Sequence, residues 1–190
     1  CVASDTSPIK LASGPVWFDA AVIGTPGRRY IYGVDPAAEQ DNFSIIILEL
    51  WDDHTRIVYG WSTNMADFQK RLKAGMASDN DYYGFCARKM RNLMRVFPTD
   101  NIAMDAQGGG RAILEAFHDT NKLERGEDFL WPTNKILDPD KDLPTDGEPG
   151  KHIIHMCQFA NFDFTSMANH GTRKDFEDKT LLFPRFDAGR

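Results

Sequence analysis

The chain has 190 residues, 42% hydrophobic and 26% charged, the balance of one globular domain with enough apolar mass for a core. A formal net charge of −6 argues against a dedicated basic coat for nucleic acid, though not against an enzyme acting on it, because cation-binding carboxylates add to the negative total. No apolar run approaches the roughly 20 residues of a membrane span, no basic-then-apolar leader opens the chain, and the three cysteines, Cys1, Cys86 and Cys157, lack C-x-x-C spacing, which points to a reducing compartment rather than a disulfide framework or zinc knuckle.

Residues 1–28 carry Ser, Pro and Gly punctuation with weak periodicity and read as a linker or the tail of an upstream domain. From residue 29 the order sharpens. A strand over 29–35 ends on Asp35-Pro36, a polar turn follows, and a longer apolar run over 43–51 completes a hairpin. Pro36 closes the first strand because it has no N–H to offer a ladder. Asp52-Asp53-His54-Thr55 is a turn, and Arg56 to Trp61 forms a third strand, so three antiparallel strands make a meander. Helices are expected over 65–76 and 81–97; in the second, Phe85, Cys86, Met90, Leu93, Met94 and Phe97 share a face, and Pro98 ends it.

A short strand over 101–104 ends on Asp105, and Gly108-Gly109-Gly110 leads into a helix over 111–123. Residues 127–150 form a long irregular Asp- and Pro-rich segment of the kind that is functional or mobile. A strand over 152–159, a helix over 164–178 interrupted at Gly171, and a last apolar piece, Leu181 to Phe183, complete the chain. This order predicts an α/β fold: a five-stranded mixed sheet, the meander plus parallel strands, flanked by helices. If the 101–104 strand lies parallel beside the first, Asp35 and Asp105 leave the sheet at the same rim. Two such carboxylates repel unless cations lie between them, and hard divalent ions prefer oxygen donors. Mg²⁺ or Mn²⁺ held there would support two-metal-ion phosphodiester hydrolysis, with the ions roughly 3.5–4 Å apart.

The stretches YGVDPAAEQDNFSIIILEL, NIAMDAQGGGRAILEAF and RKDFEDKTLLFP resemble the C-terminal nuclease domain of the large terminase subunit of tailed bacteriophages, over about residues 30–184. The resemblance implies an RNase H-like fold over 29–190, with residues 1–28 leading from an ATPase domain. It implies a metal-dependent endonuclease that cuts concatemeric double-stranded DNA during genome packaging in the cytoplasm of an infected bacterium. Its implied partners are the ATPase half, the portal and the small terminase subunit. It makes Asp35 and Asp105 metal ligands and gives Asp41 a supporting role. The family's third acid falls near the C-terminus, where Asp163, Asp175, Asp178 and Asp187 are available. Asp187 is expected by chain position, unless the third acid lies beyond Arg190. No G-x-x-x-x-G-K-[ST] loop is present, so the motor half is not in this chain.

Gly108 to Gly110 read as a tight turn or as a backbone approach to DNA; the absence of G-x-G-x-x-G argues against a dinucleotide. Arg173 and Lys174 are expected near the active-site end as phosphate contacts. Solvated surface is the default for Lys70, Arg71 and Lys73 and for Arg88, Lys89, Arg91 and Arg95. His152, His155 and Cys157 read as a packed strand, and Trp51, Trp61 and Trp131 as packing aromatics. A resolvase-like nuclease for branched DNA and a non-catalytic module docking a portal or motor partner are the alternatives.

Overall fold

Alternation along two neighbouring segments builds the centre of the molecule. The structure, a computed structural model, describes residues 9–11, 14–18, 21, 23–37, 41–77, 79–133, 149–183 and 186–187. The strands are β1 (Ile9–Leu11), β2 (Gly14–Phe18), β3 (Arg29–Asp35), β4 (Phe43–Leu50), β5 (Thr55–Thr63), β6 (Thr99–Asp105), β7 (Leu130–Pro132), β8 (Lys151–Cys157), β9 (Leu181–Leu182) and β10 (Phe186–Asp187). The helices are α1 (Met65–Lys73), α2 (Tyr82–Val96), α3 (Gly110–His118) and α4 (Phe162–Glu177). Tyr30, Tyr32 and Val34 of β3 and Phe43, Ile45, Ile47 and Glu49 of β4 turn one face inward, as a period of two requires. That face packs on Phe68 of α1, Cys86, Met90 and Leu93 of α2, and Ile113 and Phe117 of α3.

The main sheet has seven strands in the order β7-β8-β6-β3-β4-β5-β9. The meander β3-β4-β5 is antiparallel, while β6 joins β3, and β8 joins β6, in parallel. The mixed sheet is thus as expected, with two more strands than the predicted five. The additions are the edge strands β7 and β9, of three and two residues, too short to show alternation. Pro132 ends β7, an edge position where a missing donor is tolerated.

Residues 9–11 and 14–18 fall within the stretch expected as a linker or the tail of an upstream domain. There, β1 and β2 make a hairpin, and β10 adds to β2 to give a separate three-stranded sheet. Further on, the Ala21 N–H donates to the Val58 carbonyl and the Gly24 N–H to the Val96 carbonyl, 2.8 Å each, fastening this stretch to the domain. Helix α4 runs unbroken through Gly171, because an exposed glycine weakens a helix by about 1 kcal/mol without ending it. Helix α3 stops at His118, five residues short of the expectation, where Asp119 accepts the Asn121 N–H and caps a short 3-10 turn. Of the irregular segment, residues 134–148 lie outside the described residues.

Arg91 is the charged anchor of the helical layer. Its guanidinium is buried and donates to the carbonyls of Asp128 (2.8 Å) and Phe117 (3.1 Å), with Glu127 at 3.9 Å. Arg91→Ala takes a donor from the buried Phe117 carbonyl and from the part-buried Asp128 carbonyl and is expected to cost about 3 kcal/mol in urea denaturation. A loss below about 1 kcal/mol would mean that water replaces the side chain.

Candidate metal centre

In the parallel ladder between β3 and β6, Tyr32 pairs with Ile102, Gly33 with Ala103 and Val34 with Met104. One step further brings Asp35 beside Asp105 at a single rim of the sheet. The sequence places them far apart; the crossover through α1 and α2 brings them together. Asp35 is exposed and Asp105 half-buried. Desolvation of the carboxyl against the rim holds Asp35 above its usual pKa, and the charges of Asp105 and Asp41 push it the same way. Asp105 Oδ1 accepts the Gln107 N–H at 2.9 Å, which orients the carboxylate.

Asp41 lies on the turn leading into β4. That turn is tethered by its neighbour Asn42, whose Oδ1 accepts from Asn64 Nδ2 at 3.0 Å, while Asn64 also caps α1 by accepting the Asp67 N–H. Among the described residues no salt bridge reaches Asp35, Asp41 or Asp105. Among the same residues no group of three or more His, Cys, Asp or Glu side chains is assembled to hold a metal. The centre is a pair of carboxylates with a third acid close enough to be felt electrostatically. Oxygen donors in so sparse a set suit Mg²⁺ or Mn²⁺, which retain waters and take ligands from the substrate.

Connections around the rim explain the other candidates. The Gly109 N–H donates to the Pro36 carbonyl at 2.7 Å, and Gly109 is buried, so the glycine run acts here as a close-packed turn; Gly108, at φ +58°, is its exposed member. Cys157 pairs in register with Asp105 but is buried, and its thiol is pushed up by burial and by the Asp105 charge. His152 stacks towards Trp131, so it packs as Cys157 does, whereas His155 is exposed.

Helix α4 starts just past β8 at the carboxylate rim and ends where β9 pairs with Thr55, at the start of β5 and therefore at the opposite rim. Its 16 residues span about 24 Å. Arg173, paired with Glu177 at 2.7 Å, and Lys174 thus stand towards the far end, away from Asp35 and Asp105. Asp175 and Asp178 share that end. Asp163 is in the first turn, on the carboxylate side. Asp187 lies on β10, opposite Trp17 in the smaller sheet; its side chain is outside the described residues.

The basic helix faces are largely paired. Arg88 meets Glu127 at 2.7 Å, Arg95 meets Glu124 and Glu127, and Lys70 meets Asp67 at 3.0 Å. Trp61 packs among Phe43 and Phe85, Trp131 stacks on His118, and Trp51 carries the Arg28 guanidinium 3.4 Å above its ring. A hollow of about 300 Å³ is lined by Phe68, Phe85, Arg88 and Lys122 among others; none of the three rim acids lines it. Among the described residues no helix is long and apolar enough to cross a membrane.

No family model and no curated protein matches the sequence. Solved structures do match in shape. The large terminase nuclease from thermophilic phage G20c overlays with a TM-score of 0.52 at 12% identity, over 89% of this chain and 64% of that one. The HK97 bacteriophage large terminase gives 0.48 at 12% identity, over 85% of this chain and 30% of that one. A large terminase from another thermophilic bacteriophage gives 0.45 at 9% identity, over 88% of this chain and 31% of that one. The chain therefore spans under two thirds of the nuclease it resembles and about a third of the large terminases. The mixed sheet with its helical layer shares the fold of the G20c large terminase nuclease.

Proposed function

We propose that this chain is a divalent-metal-dependent DNA endonuclease of the terminase type, with Asp35 and Asp105 holding the ions and Asp41 supporting them. One observation carries the reading: two strand-end carboxylates without a cationic partner among the described residues, side by side on a terminase-nuclease fold. When bound, Mg²⁺ or Mn²⁺ supplies Lewis-acid stabilisation of the charge that develops during phosphodiester hydrolysis. The chain's own part is to present oxygens. Asp105 is oriented by the Gln107 amide, and the Asn42–Asn64 bond steadies the turn bearing Asp41. For the third acid, the position of Asp163 at the rim-side start of α4 supports it ahead of Asp187. Double-stranded DNA, the ATPase half, the portal and the small subunit are the partners this reading carries, and an infected bacterial cytoplasm its setting.

The test is plasmid nicking by the purified chain with Mg²⁺, with Mn²⁺ and with chelator. Divalent-dependent nicking, weaker in Asp163→Asn than in Asp187→Asn, is the expected result. Preference for four-way junctions over linear duplex would favour the resolvase alternative. Absence of both cleavage and metal binding would leave the docking module.

A further inference from the structure

Beyond the last ladder pair, Val34 with Met104, a backbone hydrogen bond from the Gly109 N–H to the Pro36 carbonyl at 2.7 Å joins the two carboxylate-bearing segments. Pro36 directly follows Asp35, and Gly109 ends the turn that follows Asp105. Both are buried. A β-carbon at Gly109 would lie 2.4 Å from the Pro36 oxygen and 2.7 Å from Tyr83 Oη, so the residue is wedged between the end of β3 and α2. At Gly110 the same addition would lie 2.5 Å from the Asp105 carbonyl oxygen. On its other side the Asp105 segment is held by the Ala106 N–H, which donates to the Cys157 carbonyl at 2.8 Å.

We propose that Gly109 is a positioning residue for divalent-ion binding: its bond to Pro36 and its missing side chain set the separation of Asp35 from Asp105. The inference rests on reading those two aspartates as ion ligands. The obstructing Pro36 atom is backbone and cannot rotate aside as a side-chain tip can. Relieving the contact moves the end of β3 and the start of α3 apart by roughly 1 Å, whereas metal–ligand distances hold to about 0.2 Å and Mg²⁺ demands near-octahedral oxygens. A shift of that size takes one carboxylate out of a shared site.

The test is an electron paramagnetic resonance titration of Mn²⁺ into the full chain, as wild type, Gly109→Ala and Gly24→Ala. Gly24 is the matched control at the opposite rim, where a β-carbon would lie 2.8 Å from the Val96 carbonyl oxygen and from Tyr30 Oη. Gly109→Ala is expected to weaken Mn²⁺ binding at least tenfold, while Gly24→Ala lowers thermal stability and leaves Mn²⁺ affinity unchanged. Affinity of Gly109→Ala within twofold of wild type, or equal weakening in Gly24→Ala, would overturn the proposal. Failure of the wild type to bind Mn²⁺ would instead strike the ion-ligand reading beneath it. Amide hydrogen exchange on the wild type covers the case in which Gly109→Ala does not fold. Mg²⁺ is expected to slow exchange at Gly109 more than at Gly24, and equal slowing or none would count against the joint.

Discussion

Asparagine in place of Asp35 or Asp105 is expected to lower divalent-dependent cleavage more than about a hundredfold, while the metal-free variant melts at a higher temperature than the wild type. The partners that merely orient metal ligands typically cost 10–100-fold when removed, and a direct ligand should exceed that range. The rise in melting temperature follows from repulsion. Desolvation at the rim and the charges of Asp105 and Asp41 hold the Asp35 carboxyl above the usual range. Asparagine keeps the shape and removes the charge. Divalent ions should act in the opposite order, stabilising the wild type by about 2.7 kcal/mol at a hundred times the dissociation constant and leaving either variant nearly unmoved. Thermal melts with and without Mg²⁺, run beside the cleavage assay, check both halves. An Asp35→Asn protein that still cuts at the wild-type rate would remove that residue from the centre.

Glu49→Ala is expected to cost about 3 kcal/mol in chemical denaturation, as much as Arg91→Ala. Glu49 is 1% exposed and accepts from Tyr30 Oη (2.9 Å), Trp51 Nε1 (2.9 Å) and Arg56 Nη2 (2.6 Å). Tyr30 and Arg56 are its register partners on β3 and β5, so this carboxylate ties three strands together. Truncation removes the acceptor of the Trp51 N–H and leaves the Tyr30 hydroxyl only the longer bond to the Thr25 carbonyl, 3.4 Å. Burial opposes the Glu49 charge, but hydrogen bonds from Trp51, Thr25 and Tyr30, with the Arg56 guanidinium, outweigh it and hold the pKa below the usual 4.5. The sign follows: the stabilisation is complete above pH 4.5 and is lost as pH falls through the lower folded value. Glu49→Gln should therefore lose less stability than the wild type as pH falls below about 4.5. Acid denaturation curves for the pair check this, and identical acid limbs would place the linkage elsewhere.

The strand-end pair was legible in the sequence because each part of it leaves a local sign. Pro36 marks the end of β3, the alternating runs mark the meander, and a helical crossover before β6 demands a parallel return. Short and composite features leave no such sign. The two residues of β9 cannot show a period, and β10 is defined only by its pairing with β2. The course of α4 from one rim to the other is a tertiary fact, and it is what separates Asp163 from Asp175 and Asp178. Nearness in sequence to the C-terminus could not rank those acids. The ion pairs of α2 were hidden for a related reason, since Glu124 and Glu127, which neutralise Arg88 and Arg95, lie on a later loop. The glycine run was visible as a turn, but the hydrogen bond from Gly109 to Pro36 belongs to no single stretch of sequence.

A crystal structure of the chain soaked in Mn²⁺, with the ion located by its anomalous scattering, tests the account most directly. An ion is expected at the rim within coordination distance, about 2.0–2.2 Å, of carboxylate oxygens from both Asp35 and Asp105. Manganese bound elsewhere, with the rim empty at saturating concentration, would contradict it.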